Sequence, residues 1–145
     1  MGIVPEHEVI ELDAQNFYSS GSVLRTALIL AAVTGRPFAM ENICRDRRYT
    51  GLDAGKLELL KVFAMATGAA VKGASVGSGR VEFVPARPFD AKTMLLELKG
   101  ASAVTLPAHA LLLASLFSRK KTSIVIRGGT QVKHAPTASF FAEFA

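Results

Sequence analysis

Apolar and polar positions alternate along the chain with two periods, and the switches between them predict its elements. Ile10 and Leu12 flank Glu11 in a two-residue alternation, which predicts a short strand over residues 9–13. The run SVLRTALILAAV, residues 22–33, takes helical spacing, with Ser22 as its predicted cap and Thr34-Gly35 as its close. Arg25 is the only charge in that run. In a first turn the macrodipole disfavours a cation, and a cation beside exposed helix amides is what an anion site uses. A second strand is predicted over 38–43, a polar loop over 44–51, and a helix over 53–67 that stops at Gly68. Leu57, Leu60 and Ala64 form one stripe of that helix, and Leu59, Phe63 and Ala66 another. Two strands, 69–76 and 80–84, are then joined through Gly77-Ser78-Gly79, a hairpin signal.

The order then begins again: a strand over 92–98, a helix over 102–117, a strand over 122–127 with Ile124 and Ile126 on one face, and a helical start from Ala138. Glycine, a small polar residue, an alanine-leucine helix, a basic turn and a strand recur in both halves. The expected fold is therefore a mixed α/β (α+β) sandwich built from a repeated βαβαββ unit. Residues 1–88 form the first unit and 89–145 a partial, basic second one, packed as one globular body.

Composition narrows this further. The 145 residues are 50% hydrophobic and 20% charged, which excludes a disordered or collagen-like chain. The single cysteine, Cys44, excludes a disulfide scaffold, and the opening residues lack a signal-peptide layout, so a cytoplasmic setting is expected. The net charge of +5 is unevenly placed. Up to Glu97 bases and acids balance, whereas Lys99, Arg119, Lys120, Lys121, Arg127 and Lys133 face only Glu143 in the remainder. That asymmetry points to an anionic partner such as nucleic acid. Residues 100–118 carry no formal charge and precede Arg119-Lys120-Lys121, the layout of a short membrane span. Pro107, His109 and the hydroxyl side chains favour a helix buried in an α/β domain, so no membrane role is expected.

The residues themselves carry a resemblance. Leu24-Arg25-Thr26-Ala27-Leu28, Thr34-Gly35-Arg36-Pro37-Phe38, Gly51-Leu52, 68–74, Gly77-Ser78 with Arg80 and Phe83, and Ile126-Arg127-Gly128-Gly129-Thr130 with Ala135-Pro136 resemble RNA 3′-terminal phosphate cyclases. The family is built from βαβαββ repeats, as are the related enolpyruvyl transferases. The resemblance implies ATP-dependent conversion of an RNA 3′-phosphate to a 2′,3′-cyclic phosphate through a histidine adenylate; no cofactor is expected for this chain alone, and ATP and Mg only where it is part of a split cyclase. In longer family members that histidine follows the portion matched here.

Departures from the family are specific. Its first loop resembles D-G-x-x-x-G-E-G-G-G-Q-x-x-R; Asp13, Gly21 and Arg25 match, while Tyr18 replaces the acid and Ser22 the glutamine. A loop that wraps phosphate with bare amides now carries bulkier side chains, which weighs against metal and nucleotide binding there. Its next motif resembles R-x-x-R-x-x-P-G-L followed by Q-H. Here Cys44 precedes Arg45, Arg47 matches the second arginine, Thr50 replaces proline, and Gly55-Lys56 replaces the Q-H pair. His109 replaces a helix glutamine, and 128–137 matches a G-G-T-D-x-x-x-x-P-P loop without its aspartate and one proline. Altered polar positions on a persistent framework imply lost or altered cyclase activity.

By resemblance, Arg25, Arg45, Arg47, Arg48 and Lys56 are the candidate RNA-phosphate ligands, and Tyr18, His109 and Pro136 candidate nucleotide contacts. Arg119, Lys120, Lys121, Arg127 and Lys133 form a candidate basic patch. No catalytic residue and no metal ligand is assigned, since three histidines and one cysteine, all far apart, give no ligand spacing. His109 reads as a half-buried helix histidine, and Cys44 as structural. Three functions follow. One is a cyclase-like protein without independent activity that binds RNA or an RNA-processing partner, as in cyclase-like proteins of ribosome biogenesis. A second is one subunit of a split cyclase whose partner supplies the histidine. The third is an assembly subunit, completed by a second chain or a second copy, with no RNA role.

Overall fold

A computed structural model of the chain describes residues 8–17, 20–44, 48, 50–99 and 102–144. Strand β1 (Ile10–Asp13) runs through a 3-10 turn (Ala14–Asn16) into helix α1 (Ser20–Thr34), followed by β2 (Phe38–Glu41), α2 (Ala54–Thr67), β3 (Ala70–Lys72) and β4 (Val81–Val84). Then come β5 (Thr93–Glu97), α3 (Thr105–Ser115), β6 (Ser123–Arg127) and α4 (Ala138–Phe144). The first four strands form one sheet in the order β1-β2-β4-β3, and β5 and β6 form a second. β1 and β2 are parallel, as are β5 and β6, while β4 runs antiparallel to both β2 and β3.

Strand alternation decides which face is buried. Ile10 pairs with Phe38, and Phe38 with Phe83, so Leu12, Met40 and Val81 share that apolar face. The Phe38 and Phe83 rings stack at 5.7 Å. Glu11, Glu41 and Glu82 stand on the opposite face, where Arg80 bridges Glu11 and Glu41 and Lys72 pairs with Glu82. In the second sheet Met94 and Leu96 are buried, with Ile124 and Ile126 beside them. α2 buries Leu57 and Leu60 of one stripe, with Ala64 partly buried, and Leu59, Phe63 and Ala66 of the other, together with Val62, because it packs on α1 and on β5. α1 packs on α3, and buried residues from both sheets join one core cluster.

Local signals explain most boundaries. Asp53 caps α2 by accepting from Lys56 N at 2.8 Å, and Gly68 ends it in the left-handed region at φ 62°. Four sequence expectations need correction. α1 begins at Ser20, so Ser22 lies inside it rather than capping it, and Arg25 stands in the second turn. Ser20 is buried and shares a 2.9 Å hydrogen bond with Cys44 Sγ, which extends the helix by anchoring its first turn. β2 stops at Glu41 because Asn42 and Cys44 turn into the left-handed region, at φ 57° and 52°. The turn between β3 and β4 is the whole stretch 73–80, since Gly77 and Ser78 bond to Leu52 instead of continuing the strands. α3 starts at Thr105 and ends at Ser115, because Ala103 makes a parallel bridge to Gly129 and Val104 N donates to Gly129 O. Among the described residues, no helix is long and apolar enough to cross a membrane.

Candidate functional site

A cleft of about 380 Å³ opens where three helices begin. Gly21 comes from the first turn of α1, Gly55 and Lys56 from that of α2, and Leu106 and Pro107 from that of α3. Lys133, His134 and Ala135, from the loop after β6, close the fourth side. Each helix start follows the carboxyl end of a parallel strand, the usual place for ligands in α/β sheets. Helix starts present unpaired amides and the positive end of the macrodipole, so the backbone alone makes this cleft attractive to anions.

Small residues bring the walls together. A Cβ on Gly21 would stand 3.2 Å from Lys56 Cε and 3.6 Å from Arg25 Nη1, so its absence lets the two cations flank one point. A Cβ on Gly55 would stand 3.0 Å from Ser102 Oγ, which puts the start of α2 against the segment before α3. Gly129 N donates to Ser102 O at 3.1 Å, and buried Thr105 donates through Oγ1 to Pro136 O at 2.9 Å, fastening the 128–137 loop at both ends.

Charge in the cleft is predominantly positive. Among the described residues, Arg25, Lys56 and Lys133 line it against a single carboxylate, Asp53. The Arg25 guanidinium is half-buried, donates from Nη2 to Ser22 Oγ at 3.1 Å, and has no carboxylate partner among the described residues. Burial holds its pKa below the ordinary arginine value. A desolvated cation without a counter-ion costs stability that an entering anion would offset. For Asp53, burial pushes the carboxyl pKa up, but the Lys56 side chain and the Lys56 and Gly55 amides outweigh it and hold it below the usual carboxylate range. Leu24, Leu59 and Leu98 add apolar surface to its lining.

A broader groove of about 1000 Å³ adjoins the cleft and shares Asp53 and Lys56 with it. Arg48, Cys44 and Thr50 line it, together with exposed Val76 and Gly77.

The structure therefore brings Arg25 and Lys56 together and sets Arg48 in the adjoining groove. Arg45, Arg47 and Tyr18 lie outside the described residues. His109 is exposed on α3, not half-buried, and does not line the cleft; α3 turns Ala110, Leu111 and Ala114 inward instead. Pro136 is not in the lining, and its part is to accept the Thr105 bond. The basic residues do not form one patch. Arg119, Lys120 and Lys121 precede β6 while Arg127 and Lys133 follow its start, and five residues of extended strand place the two sets at opposite ends, about 13 Å or more apart. Lys120 pairs with Asp90 and Arg127 with Glu97, each at 3.0 Å, so Lys133 is the one of the five that lines the cleft. In the sequence, residue 53 stands only at the start of a helix; the acid-x-x-lysine spacing of Asp53 and Lys56 is the signal that marks the pair.

The chain is also similar to known proteins. The family model described as RNA 3′-terminal phosphate cyclase matches residues 17–145. The chain is 34% identical over 134 residues to an RNA 3′-terminal phosphate cyclase of Pyrococcus abyssi (strain GE5 / Orsay), covering 92% of this chain and 39% of that protein. It is 36% identical over 133 residues to that of Staphylothermus marinus (strain ATCC 43588 / DSM 3639 / JCM 9404 / F1), covering 92% and 37%. Against that of Methylococcus capsulatus (strain ATCC 33009 / NCIMB 11132 / Bath) it is 33% identical over 141 residues, covering 93% and 39%. It spans about two-fifths of the length of these curated relatives. With a matching cyclase model along nearly all of it, the chain belongs to the RNA 3′-terminal phosphate cyclase family.

Proposed function

We propose that this chain binds the phosphorylated 3′ end of RNA, or the RNA of a processing partner, in the cleft between α1, α2 and α3, without cyclising it by itself. The observation that carries this reading is the pair of cations, Arg25 and Lys56, flanking Gly21 at convergent helix starts. Arg25 supplies a rigid fork for phosphate oxygens, Lys56 and Lys133 mobile ammonium groups, and the leucine side chains a surface for a sugar or base. The absence of independent cyclisation is argued from the family pattern, in which Tyr18 and Ser22 replace polar groups of the first loop. Residues 1–88 and 89–145 are read as one βαβαββ unit and most of a second.

The test is binding of single-stranded RNA ending in a 3′-phosphate against the same strand ending in a hydroxyl. Tighter binding of the phosphorylated strand, weakened by salt and by Arg25→Met, is expected. Equal binding of the two strands, or a labelled covalent adenylate formed from ATP by the chain alone, overturns it.

A second reading has its own support in the β5–β6 sheet, whose outer strand edges pair with nothing among the described residues. Such edges are usually covered. A partner chain that continues this sheet and supplies the adenylated histidine would make the protein one subunit of a split, ATP- and Mg-dependent cyclase. Adenylate labelling that appears only with a copurified partner supports it.

A further inference from the structure

Among the described residues, Asp53 is the one acidic side chain in a cleft otherwise suited to anions, and its place is specific. One carboxylate oxygen, Oδ1, accepts from Lys56 N at 2.8 Å as the cap of α2. The other, Oδ2, pairs with Lys56 Nζ, so one turn of helix holds both partners. The Lys56 side chain is only 23% exposed against 57% for Asp53, which places the ammonium inward and the acid toward the rim. The same Lys56 Nζ lies 4.0 Å from the point where a Gly21 Cβ would stand, with Arg25 Nη1 3.6 Å from that point. The ammonium thus sits between a carboxylate and the position where an anion would meet Arg25.

We infer that Asp53 is a built-in counter-ion of the cleft: it holds Lys56 against its own carboxylate, and an arriving phosphate must draw the ammonium away to complete its binding. The inference rests on the phosphate-binding reading above and adds an affinity-setting residue to it. A lysine has three protons and rotatable terminal torsions, so Nζ can pass from Oδ2 to a ligand oxygen without movement of the helix. Asp53 lowers affinity in two ways, by competing for Lys56 and by repelling the ligand. Repulsion acts more strongly on a phosphate monoester dianion than on a phosphodiester. The consequence is a cleft that captures phosphate reversibly instead of retaining it.

Asp53→Asn separates this role from folding, because asparagine caps a helix as well as aspartate does while carrying no charge. Binding of inorganic phosphate and of 3′-phosphorylated RNA is measured by calorimetry for wild type, Asp53→Asn, Lys56→Met, the double variant and Arg25→Met, with melting temperature as the fold control. The expected result is about fivefold tighter phosphate binding for Asp53→Asn, the scale of one partly exposed ion pair. Most of that gain should disappear in the Lys56→Met background. In wild type, phosphate should shift the Lys56 Cε–Nζ resonances together with the Asp53 carboxyl resonance. If phosphate binds in an Arg25-dependent way while Asp53→Asn changes nothing, the counter-ion role is overturned and the phosphate site stands. If Arg25→Met also leaves binding unchanged, the site itself is wrong and the counter-ion role falls with it.

Discussion

Gly51 and Gly77 meet backbone to backbone: a Cβ on Gly51 would stand 2.3 Å from the Gly77 carbonyl oxygen. Gly77 N donates to Leu52 O at 2.8 Å and Leu52 N to Ser78 O at 2.9 Å, so the segment before α2 is laced to the 73–80 loop. This packing sets where Asp53 begins its helix. Gly51 also has φ 82°, where a side chain is strained in itself. Gly51→Ala should therefore lower unfolding free energy by about 2–3 kcal/mol, strain and backbone displacement combined. Urea denaturation checks this, with a lower midpoint at unchanged slope expected.

Arg25→Met should separate stability from binding. The guanidinium is half-buried without a carboxylate partner among the described residues, and methionine fills similar volume without the desolvation cost. Stability should stay within about 1 kcal/mol of wild type or rise. Affinity for 3′-phosphorylated RNA should fall about tenfold or more, the scale of a charge-assisted hydrogen bond. Equal affinities in fluorescence polarisation would contradict this.

The two ends of β6 should behave differently toward RNA. Removing charge at Arg119 and Lys121 should weaken binding of any strand and reduce the salt slope by roughly 0.7 for each phosphate that is no longer neutralised. Lys133→Ser should instead reduce the preference for a terminal phosphate, because Lys133 lines the cleft. Salt titrations of both strands with each variant distinguish the two effects.

Acid should weaken the start of α2 first. The Asp53 pKa is held below its ordinary value in the fold, so its contribution is complete above the unfolded carboxylate pKa of about 3.9 and is lost as pH falls below it. Amide exchange at Lys56 should therefore accelerate at low pH relative to mid-helix Leu60. Asp53→Asn should remove that pH dependence.

Much of the fold was legible because local chemistry and tertiary packing agree along it. Asp53 and Gly68 bound α2 as capping rules require, and the paired stripes of Leu57/Leu60 and Leu59/Ala66 are both buried. Three of the four misread boundaries share one cause, a contact distant in sequence that overrides a local signal. Ser20 reaches Cys44, Ala103 pairs with Gly129, and Gly77 serves Leu52 rather than its own hairpin. The same holds for the site. Arg25 and Lys56 could be named from the chain, but their approach across Gly21, and the separation of Lys133 from Lys120, depend on how α1, α2 and β6 are placed.

The convergence of α1, α2 and α3 has a consequence for how such a protein can change. Part of the pull that this cleft exerts on any anion is written into peptide dipoles, which no side-chain replacement deletes. Side-chain mutation at such helix starts can strip away discrimination and chemistry one residue at a time while a generic affinity for anions persists. Descendants of an enzyme with this architecture would thus lose turnover well before they lose their ligand, which gives evolution a ready supply of binders.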